Sequence, residues 1–357
     1  MKCEKKRLED MLRALAAWYP SHARRLPWRE DREPYHVWLS EIMLQQTRVE
    51  AVKEYYRRFL TALPTIEALA DVDEDYLLKL WQGLGYYNRA KNLKKAATVI
   101  CTEHAGVFPD TYDAIRALPG IGEYTAGAIG SICYELQTPA VDGNVLRVYA
   151  RVMEDDANVD KAATRTRIRD SLAEVYPQGQ CGVTTQSLME LGAIVCLPNG
   201  VPRCGQCPLA DMCLAHMHET WEKLPVRDAK KARRVVDKTV FVLQCGAHLA
   251  LRKRPNKGLL SGMWEFPNVD AVLTEQEAAD QAASWETEPE RLLMKNSYTH
   301  IFTHVEWRMS AYYIRCKQMS PEFQWVTQEE LDARYAVPSA FRPFYESLIN
   351  IGETEKK

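Results

Sequence analysis

Apolar residues return every three to four positions through most of the first two hundred residues, the spacing that puts them on one face of an α-helix. Met1 to Tyr19 reads as an amphipathic helix with charges mixed through it. Trp38 to Phe59, Asp73 to Leu84 and Asn88 to Ile100 repeat the pattern, with Pro64, Gly83, Gly85, Gly106 and Pro109 punctuating between them. After Val235 the texture changes. Thr239 to Leu243, His248 to Leu251 and Trp307 to Cys316 carry the β-branched and aromatic runs of strands. Helical patterns stand among them, around Glu275 to Trp285 and Pro338 to Ile349. The charged tract from Arg227 to Arg234 separates the two textures. The pattern predicts a mainly α domain over residues 1–220, a linker over 221–234 and an α+β domain over 235–357.

A length of 357 residues suits two domains, and a hydrophobic content of 46% supplies cores for both. No apolar run is long enough to span a bilayer, and the N-terminal helix lacks the unbroken apolar centre of a secretory signal. The expectation is a soluble, cytoplasmic protein without a membrane partner. A net charge of −2 gives no overall pull toward a polyanion, so nucleic-acid binding would need local patches and backbone contacts.

Candidate chemistry concentrates between Leu118 and Asn144. In Leu118-Pro119-Gly120-Ile121-Gly122 two glycines flank one apolar residue, and a helical pattern follows at once. Glycine lets the chain turn sharply and lets its backbone approach another molecule. N–H groups at the start of the following helix suit an anion, commonly a phosphate. Val141-Asp142-Gly143-Asn144 then sets a carboxylate at the entry to another helix. A tight helix–helix turn and an ordinary N-cap Asp would explain the same residues singly.

The ten cysteines are unevenly used. Cys3, Cys101, Cys133, Cys181, Cys245 and Cys316 are scattered, as small residues of a reducing compartment are. Cys196, Cys204, Cys207 and Cys213 instead fall in one loop-rich stretch, 196–213, with Pro198, Gly200, Pro202 and Pro208. Four thiolates so close can hold a cubane iron–sulfur cluster or a zinc ion. Structural zinc usually brings together two Cys-x2-Cys knuckles, whereas here one such pair is flanked by two single cysteines, which favours [4Fe–4S].

The hairpin-and-Asp stretch resembles the helix-hairpin-helix element of DNA glycosylases, and the cysteine stretch resembles the cluster loop of the endonuclease III superfamily. The family's first cysteine gap is generally six residues; here it is seven. Leu26-Pro27-Trp28-Arg29, Ser40-Glu41-Ile42-Met43-Leu44-Gln45-Gln46-Thr47 and Gly83-Leu84-Gly85-Tyr86-Tyr87-Asn88-Arg89-Ala90 extend the resemblance to the MutY family of adenine DNA glycosylases. Leu259 to Pro267 and Phe302-Thr303-His304 resemble that family's C-terminal MutT (Nudix)-like domain.

The resemblance implies a helix-hairpin-helix glycosylase fold with a [4Fe–4S] loop, followed by an α+β Nudix-like domain. It implies a monomeric base-excision repair enzyme that acts on double-stranded DNA, flipping out adenine mispaired with 8-oxoguanine or guanine. Breaking an N-glycosidic bond needs an acid for the departing base and a carboxylate for the sugar cation. Glu41, read as beginning a helix with apolar residues next to it, is the candidate acid, and Asp142 the stabiliser or nucleophile. A helix-start carboxylate favoured by the dipole is the plainer explanation of Glu41. Tyr124 and Asn144 complete the implied catalytic set. Tyr124 stands where bifunctional relatives carry a Schiff-base lysine, which implies a monofunctional enzyme. Trp28, Arg29 and Gln186 match the adenine pocket. Gln46 and Tyr86 match residues inserted into the duplex, and Leu118, Gly120, Ile121 and Gly122 match the phosphate-binding hairpin. Phe302, Thr303 and His304 match the 8-oxoguanine reader. After Pro267 the chain offers only Glu275, Gln276 and Glu277 where a working pyrophosphohydrolase needs Arg-Glu-x-x-Glu-Glu, so this domain should recognise and not hydrolyse.

Overall fold

The computed structural model describes residues 2–229 and 232–354. Lys230 and Lys231 of the expected linker, Met1 and residues 355–357 lie outside it. The helices are α1 (Lys2–His22), α2 (Pro34–Met43), α3 (Val49–Ala62), α4 (Ile66–Asp71), α5 (Glu74–Trp81), α6 (Asn88–Glu103), α7 (Tyr112–Ala117) and α8 (Glu123–Tyr134). Then come α9 (Gly143–Met153), α10 (Ala162–Ala173), α11 (Cys181–Ile194), α12 (Leu214–Met217), α13 (Glu275–Ser284), α14 (Gln328–Arg334) and α15 (Arg342–Thr354). No described helix is long and apolar enough to cross a membrane.

The chain folds as two compact units. The first comprises residues 1–71 and 92–229. One stripe of α1, formed by Leu8, Met11, Leu12 and Leu15, packs with Val145, Val148 and Val152 of α9 and Leu188 and Leu191 of α11. The spacings of three, four and seven put each set on a single helix face. The cysteine loop closes this core from below through Leu209, with Cys196, Cys207 and Cys213 against it.

The second unit comprises, of the described residues, 72–91 and 232–354. Its strands are β1 (Arg234–Cys245), β2 (His248–Lys253), β3 (Trp264–Glu265), β4 (Asn268–Val269), β5 (Pro289–Ile301), β6 (Val305–Cys316) and β7 (Gln324–Thr327). The main path runs β3-β2-β1-β6-β5, with β4 on β1 and β7 on β2. β1 and β6 run parallel, with Val240 opposite Ala311. Both faces of β1 are buried, which explains its continuous apolar run. Val240 and Val242 face Phe341 and Phe344 at the C-terminus. Phe241 and Leu243 face Ala278 and Ala282 of α13.

The structure departs from the sequence reading at definite places. Trp38 to Phe59 is two helices, broken at Leu44 to Arg48, where Gln46 takes a left-handed φ of 57°. Glu41 is therefore the eighth residue of α2 and not a helix start. Strands β5 and β7 were not visible in the pattern, because the long edge strand β5 is exposed along much of its length and so lacks a strong apolar alternation. Residues 72–91 have a helical pattern, yet they pack with the sheet unit: Lys79 Nζ donates to the Tyr335 carbonyl at 3.1 Å, and Gln82 Nε2 donates to Val337 O at 2.7 Å.

Candidate active site and cysteine loop

Asp142 caps α9. Its extended backbone lets one carboxylate oxygen accept from the N–H groups of Asn144 (2.9 Å) and Val145 (2.8 Å). The other oxygen accepts from Asn144 Nδ2 at 2.7 Å. Asn144 is itself oriented, because Arg147 Nη2 donates to its Oδ1 at 2.8 Å. Burial pushes the Asp142 carboxyl above its ordinary value, while these three N–H donors and the Arg147 charge favour the anion. A cap so fully bonded cannot swing, so the free edge of the carboxylate keeps one direction.

Glu41 is 7% exposed and pushed up to about 7, first by burial and further by the Asp142 charge, against the opposing effects of Tyr124 and Arg29. Its place near the C-terminal end of α2 is where the helix dipole disfavours an anion. The helix-start explanation of this residue is thereby removed. Tyr124 donates its hydroxyl to Glu41 Oε2 at 2.6 Å. Burial, with both carboxylates close, holds the Tyr124 pKa well above the usual phenol value, so Tyr124 remains a donor.

Glu41, Tyr124, Asp142 and Asn144 line one cavity of about 670 Å³ with Trp28, Arg29 and Gln186. Trp28 is buried edge-on to Tyr56 at 5.5 Å. Arg29 Nη2 pairs with Glu190 Oε2 at 2.8 Å. Gln46 lines the same cavity.

The hairpin residues are placed differently from one another. Leu118 and Ile121 are buried anchors, whereas a Cβ on Gly122 would meet open space. Gly120 has a φ of 78°, and a Cβ there would stand 2.6 Å from Asn92 Cβ, so both the turn and the packing require glycine. Glu123 opens α8 and is countered by Arg169 at 3.0 Å and Arg116 at 3.4 Å.

Cys196, Cys204, Cys207 and Cys213 surround a second, smaller cavity with Arg151, Leu191, Val195, Leu209, His216 and Trp221. Arg151 Nη1 donates to Cys196 Sγ at 3.3 Å. The backbone N–H of Leu209 is directed at Cys207, and those of His216 and Ala215 at Cys213. Among the described residues no three His, Cys, Asp or Glu side chains converge on a single ion position. Between Cys196 and Cys204 the chain makes an exposed turn at Asn199-Gly200-Val201, with Gly200 at a φ of 72°. The Arg203 N–H returns to Val195 O at 2.9 Å beyond it.

In the sheet unit, Phe302, Thr303 and His304 form the tight β5–β6 turn. Phe302 packs edge-on against Trp307 at 4.9 Å, with its N–H on Val305 O at 2.8 Å. Thr303 and His304 are exposed. The Thr303 hydroxyl is hydrogen-bonded to the Tyr86 hydroxyl. Tyr86 is exposed and left-handed at a φ of 50°, with the Arg89 guanidinium 5.6 Å from its ring centroid. Glu277, one of the few acids after Pro267, closes a capping box with Thr274.

The sequence reading missed Glu190, Arg24 and Tyr19. Glu190 is fully buried and accepts from Arg24 Nε at 2.7 Å and Arg24 Nη2 at 3.0 Å as well as from Arg29. Burial alone would raise its pKa, but the two guanidinium groups hold it down to about 2. The available signal was a lone acid within the apolar run Leu188 to Val195, since a buried charge requires partners.

Residues 39–174 match the family described as HhH-GPD superfamily base excision DNA repair protein, and residues 239–347 match the NUDIX domain. The adenine DNA glycosylase of Rattus norvegicus is 32% identical, over 89% of this chain and 74% of its own length. That of Homo sapiens is 30% identical, over 93% and 72% respectively. The chain belongs to the adenine DNA glycosylases. The glycosylase of Arabidopsis thaliana is 36% identical, over 75% of this chain and 48% of its own. A thermostable thymine-DNA glycosylase of known structure is 27% identical with a TM-score of 0.54, and the match covers 60% of this chain and 98% of that one. The glycosylase has the helix-hairpin-helix fold followed by a Nudix-like domain, and it hydrolyses the bond between adenine and deoxyribose in DNA.

Proposed function

We propose that this glycosylase removes adenine paired with 8-oxoguanine or guanine in duplex DNA, with Glu41 as general acid and Asp142 stabilising the sugar cation or attacking it. The carrying observation is the shared cavity in which a raised carboxyl and a fully capped carboxylate both stand. Burial raises both carboxyls, but Asp142 accepts from three N–H donors that favour its anion whereas Glu41 accepts from the Tyr124 hydroxyl, which suits the two to different roles. Glu41 gives its proton to N7 of the adenine, and Tyr124 holds it in place. The cavity can receive a base only after it has left the stack, at a cost of about a few kcal/mol. Gln46 and Tyr86 fill the duplex behind it, while the open backbone at Gly122 meets a phosphate.

The four-cysteine loop holds a [4Fe–4S] cluster in this reading. A tetrahedral zinc draws its sulfurs around one centre. A cubane takes each thiolate on a separate iron, which fits four thiols set around one cavity. N–H groups directed at the sulfurs fit it also. Bound there, the cluster cross-links the loop and leaves exposed Arg203 available to a phosphate.

Adenine opposite 8-oxoguanine in a labelled duplex provides the direct test. The product should be an abasic site in an intact strand, cleaved only after alkali, because Tyr124 cannot form a Schiff base. Absence of alkali-labile sites would overturn the activity on this mispair. A borohydride-trapped adduct at a lysine essential for activity would overturn the monofunctional assignment.

Preference for 8-oxoguanine over guanine is assigned to the β5–β6 turn. Adenine is an undamaged base, so the lesion signal must come from its partner. The differences to be read are the added O8 and the N7–H that replaces an acceptor. An exposed hydroxyl at Thr303, on a turn held by Phe302, can meet either. Thr303→Ala and His304→Ala should each lower the ratio of single-turnover rates between the two mispairs by about three- to tenfold, the worth of one hydrogen bond. An unchanged ratio in both variants would remove this role.

A further inference from the structure

Gln186 has a donating end and an accepting end, and a partner on one end fixes which way the amide faces. Gln186 lines the cavity, and Tyr19 donates its phenolic hydrogen to Gln186 Oε1. We infer that Tyr19 is a positioning residue that fixes the Gln186 amide with its NH2 toward the base. The Gln186 NH2 then donates to a ring nitrogen of adenine, while its Oε1 is turned toward the phenol. The inference rests on the reading of this cavity as the adenine pocket.

Hydrogen-bond accounting supports that orientation. The Tyr19 hydroxyl is part-buried, and burial holds it protonated, so its hydrogen needs an acceptor. The neighbouring cations Arg24 and Arg29 only donate, and the Arg29 guanidinium lies 5.7 Å from the Tyr19 ring centroid. The nearby acid, Glu190, is already engaged by the Arg24 N–H at 2.9 Å, Arg24 Nε at 2.7 Å, Arg24 Nη2 at 3.0 Å and Arg29 Nη2 at 2.8 Å. Among the described residues, Gln186 Oε1 is the acceptor that the Tyr19 hydroxyl meets. A reversed amide would set its NH2 against the phenol and leave the phenolic hydrogen facing a donor.

The orientation has a chemical consequence. A donor on a ring nitrogen strengthens as electrons flow into the departing base, so it favours the transition state over the ground state. An acceptor facing the 6-amino group would gain nothing from that flow. Tyr19 thereby sets both the edge of adenine that is read and the contribution of Gln186 to the rate.

The test measures single-turnover rates opposite 8-oxoguanine for two excised bases, adenine and purine, the latter with hydrogen in place of the 6-amino group. Ratios are compared between protein variants, so the intrinsic lability of each base cancels. Gln186→Ala should slow both bases by the same factor, about five- to tenfold, because the ring nitrogen is common to both. A loss confined to adenine would show the amide accepting from the amine and would overturn the inference. No loss on either base would overturn the pocket reading itself.

Tyr19→Phe keeps the ring beside Arg29 and frees the amide to turn. It should slow adenine removal several-fold and raise the adenine-to-purine ratio relative to wild type. In the Gln186→Ala background the same change should alter neither quantity. Equal losses in both backgrounds, or none in either, would show that Tyr19 does not act through Gln186. The Gln186→Ala comparison stands independently should Tyr19→Phe lower the melting temperature.

Discussion

Glu41→Gln and Asp142→Asn should each slow adenine removal by about three orders of magnitude, in the range of lost general-acid and charge-stabilising groups, while duplex affinity stays near wild type. Gln at position 41 can still accept from Tyr124, so the cavity keeps its shape and loses only its proton. Asn at position 142 can still cap α9 through one oxygen. Its new NH2, however, meets the Asn144 NH2 that now donates at 2.7 Å, and the negative charge is gone. Affinity survives because phosphate contacts carry most of it. The same assignment fixes the sign of the pH response. Glu41 is raised to about 7, so its acid form dominates below that pH. The wild-type single-turnover rate should therefore be level below neutrality and fall about tenfold per unit above it. Glu41→Gln should lack that descent. A variant with near wild-type kinetics, or a wild-type rate that rises through pH 7 to 9, would displace Glu41 as the acid.

How far this site was legible in the sequence follows from the kinds of interaction involved. Asp142 beside Gly143 announced a helix cap, because capping is local and lies within four consecutive residues, 142–145. The cysteine spacing was equally local. Glu41 was harder: its depth depends on α2 ending two residues later, and an apolar pattern running from Trp38 to Phe59 does not reveal the break at Leu44 to Arg48. Glu190, Arg24 and Tyr19 were missed because their meaning lies in contacts more than 160 positions apart in the chain. In the sheet unit, β1 and β6 were visible because both bury apolar residues. β5 was not, since its pairing with β6 is made by backbone and leaves side chains exposed. The packing of residues 72–91 with that unit was invisible for a related reason, since carbonyls of Tyr335 and Val337 accept from Lys79 and Gln82 whatever their side chains are. A truncation near Pro225 would strip this segment of its partners, so point changes in the β5–β6 turn test lesion reading more cleanly.

Cys207→Ser should remove iron from the purified protein, lower its melting temperature by about 10 °C and reduce the rate of adenine removal more than tenfold. The stability loss follows from the loop's composition. Residues 196–213 contain only short 3-10 turns between the cysteines, so the thiols, Leu209 and a few arginine-to-carbonyl hydrogen bonds, such as Arg147 to Cys196 and Arg151 to Leu197, hold them to the core. Removing one native cross-link from such a segment costs about 2–5 kcal/mol, and each kcal/mol is worth about 2–4 °C at this size. The rate loss follows from what the loop touches. Arg147, 5% exposed, donates through Nε to the Cys196 carbonyl at 2.8 Å and through Nη2 to Gly192 O at 2.7 Å. The same Nη2 holds Asn144 Oδ1 at 2.8 Å, and Asn144 in turn holds Asp142. Gly192 matters here as well: a Cβ on it would stand 2.5 Å from Asn144 Cβ, so α11 and the start of α9 meet without slack. A shift of the Cys196 carbonyl by even a fraction of an ångström must then be taken up by Arg147, and through Asn144 by the Asp142 carboxylate. Arg147→Lys, which retains the charge but not the forked geometry, should reproduce much of the rate loss with iron still bound. Full activity in Cys207→Ser without iron would show that packing alone holds the loop, and zinc with no iron in anaerobically purified wild type would replace the cluster by a single ion.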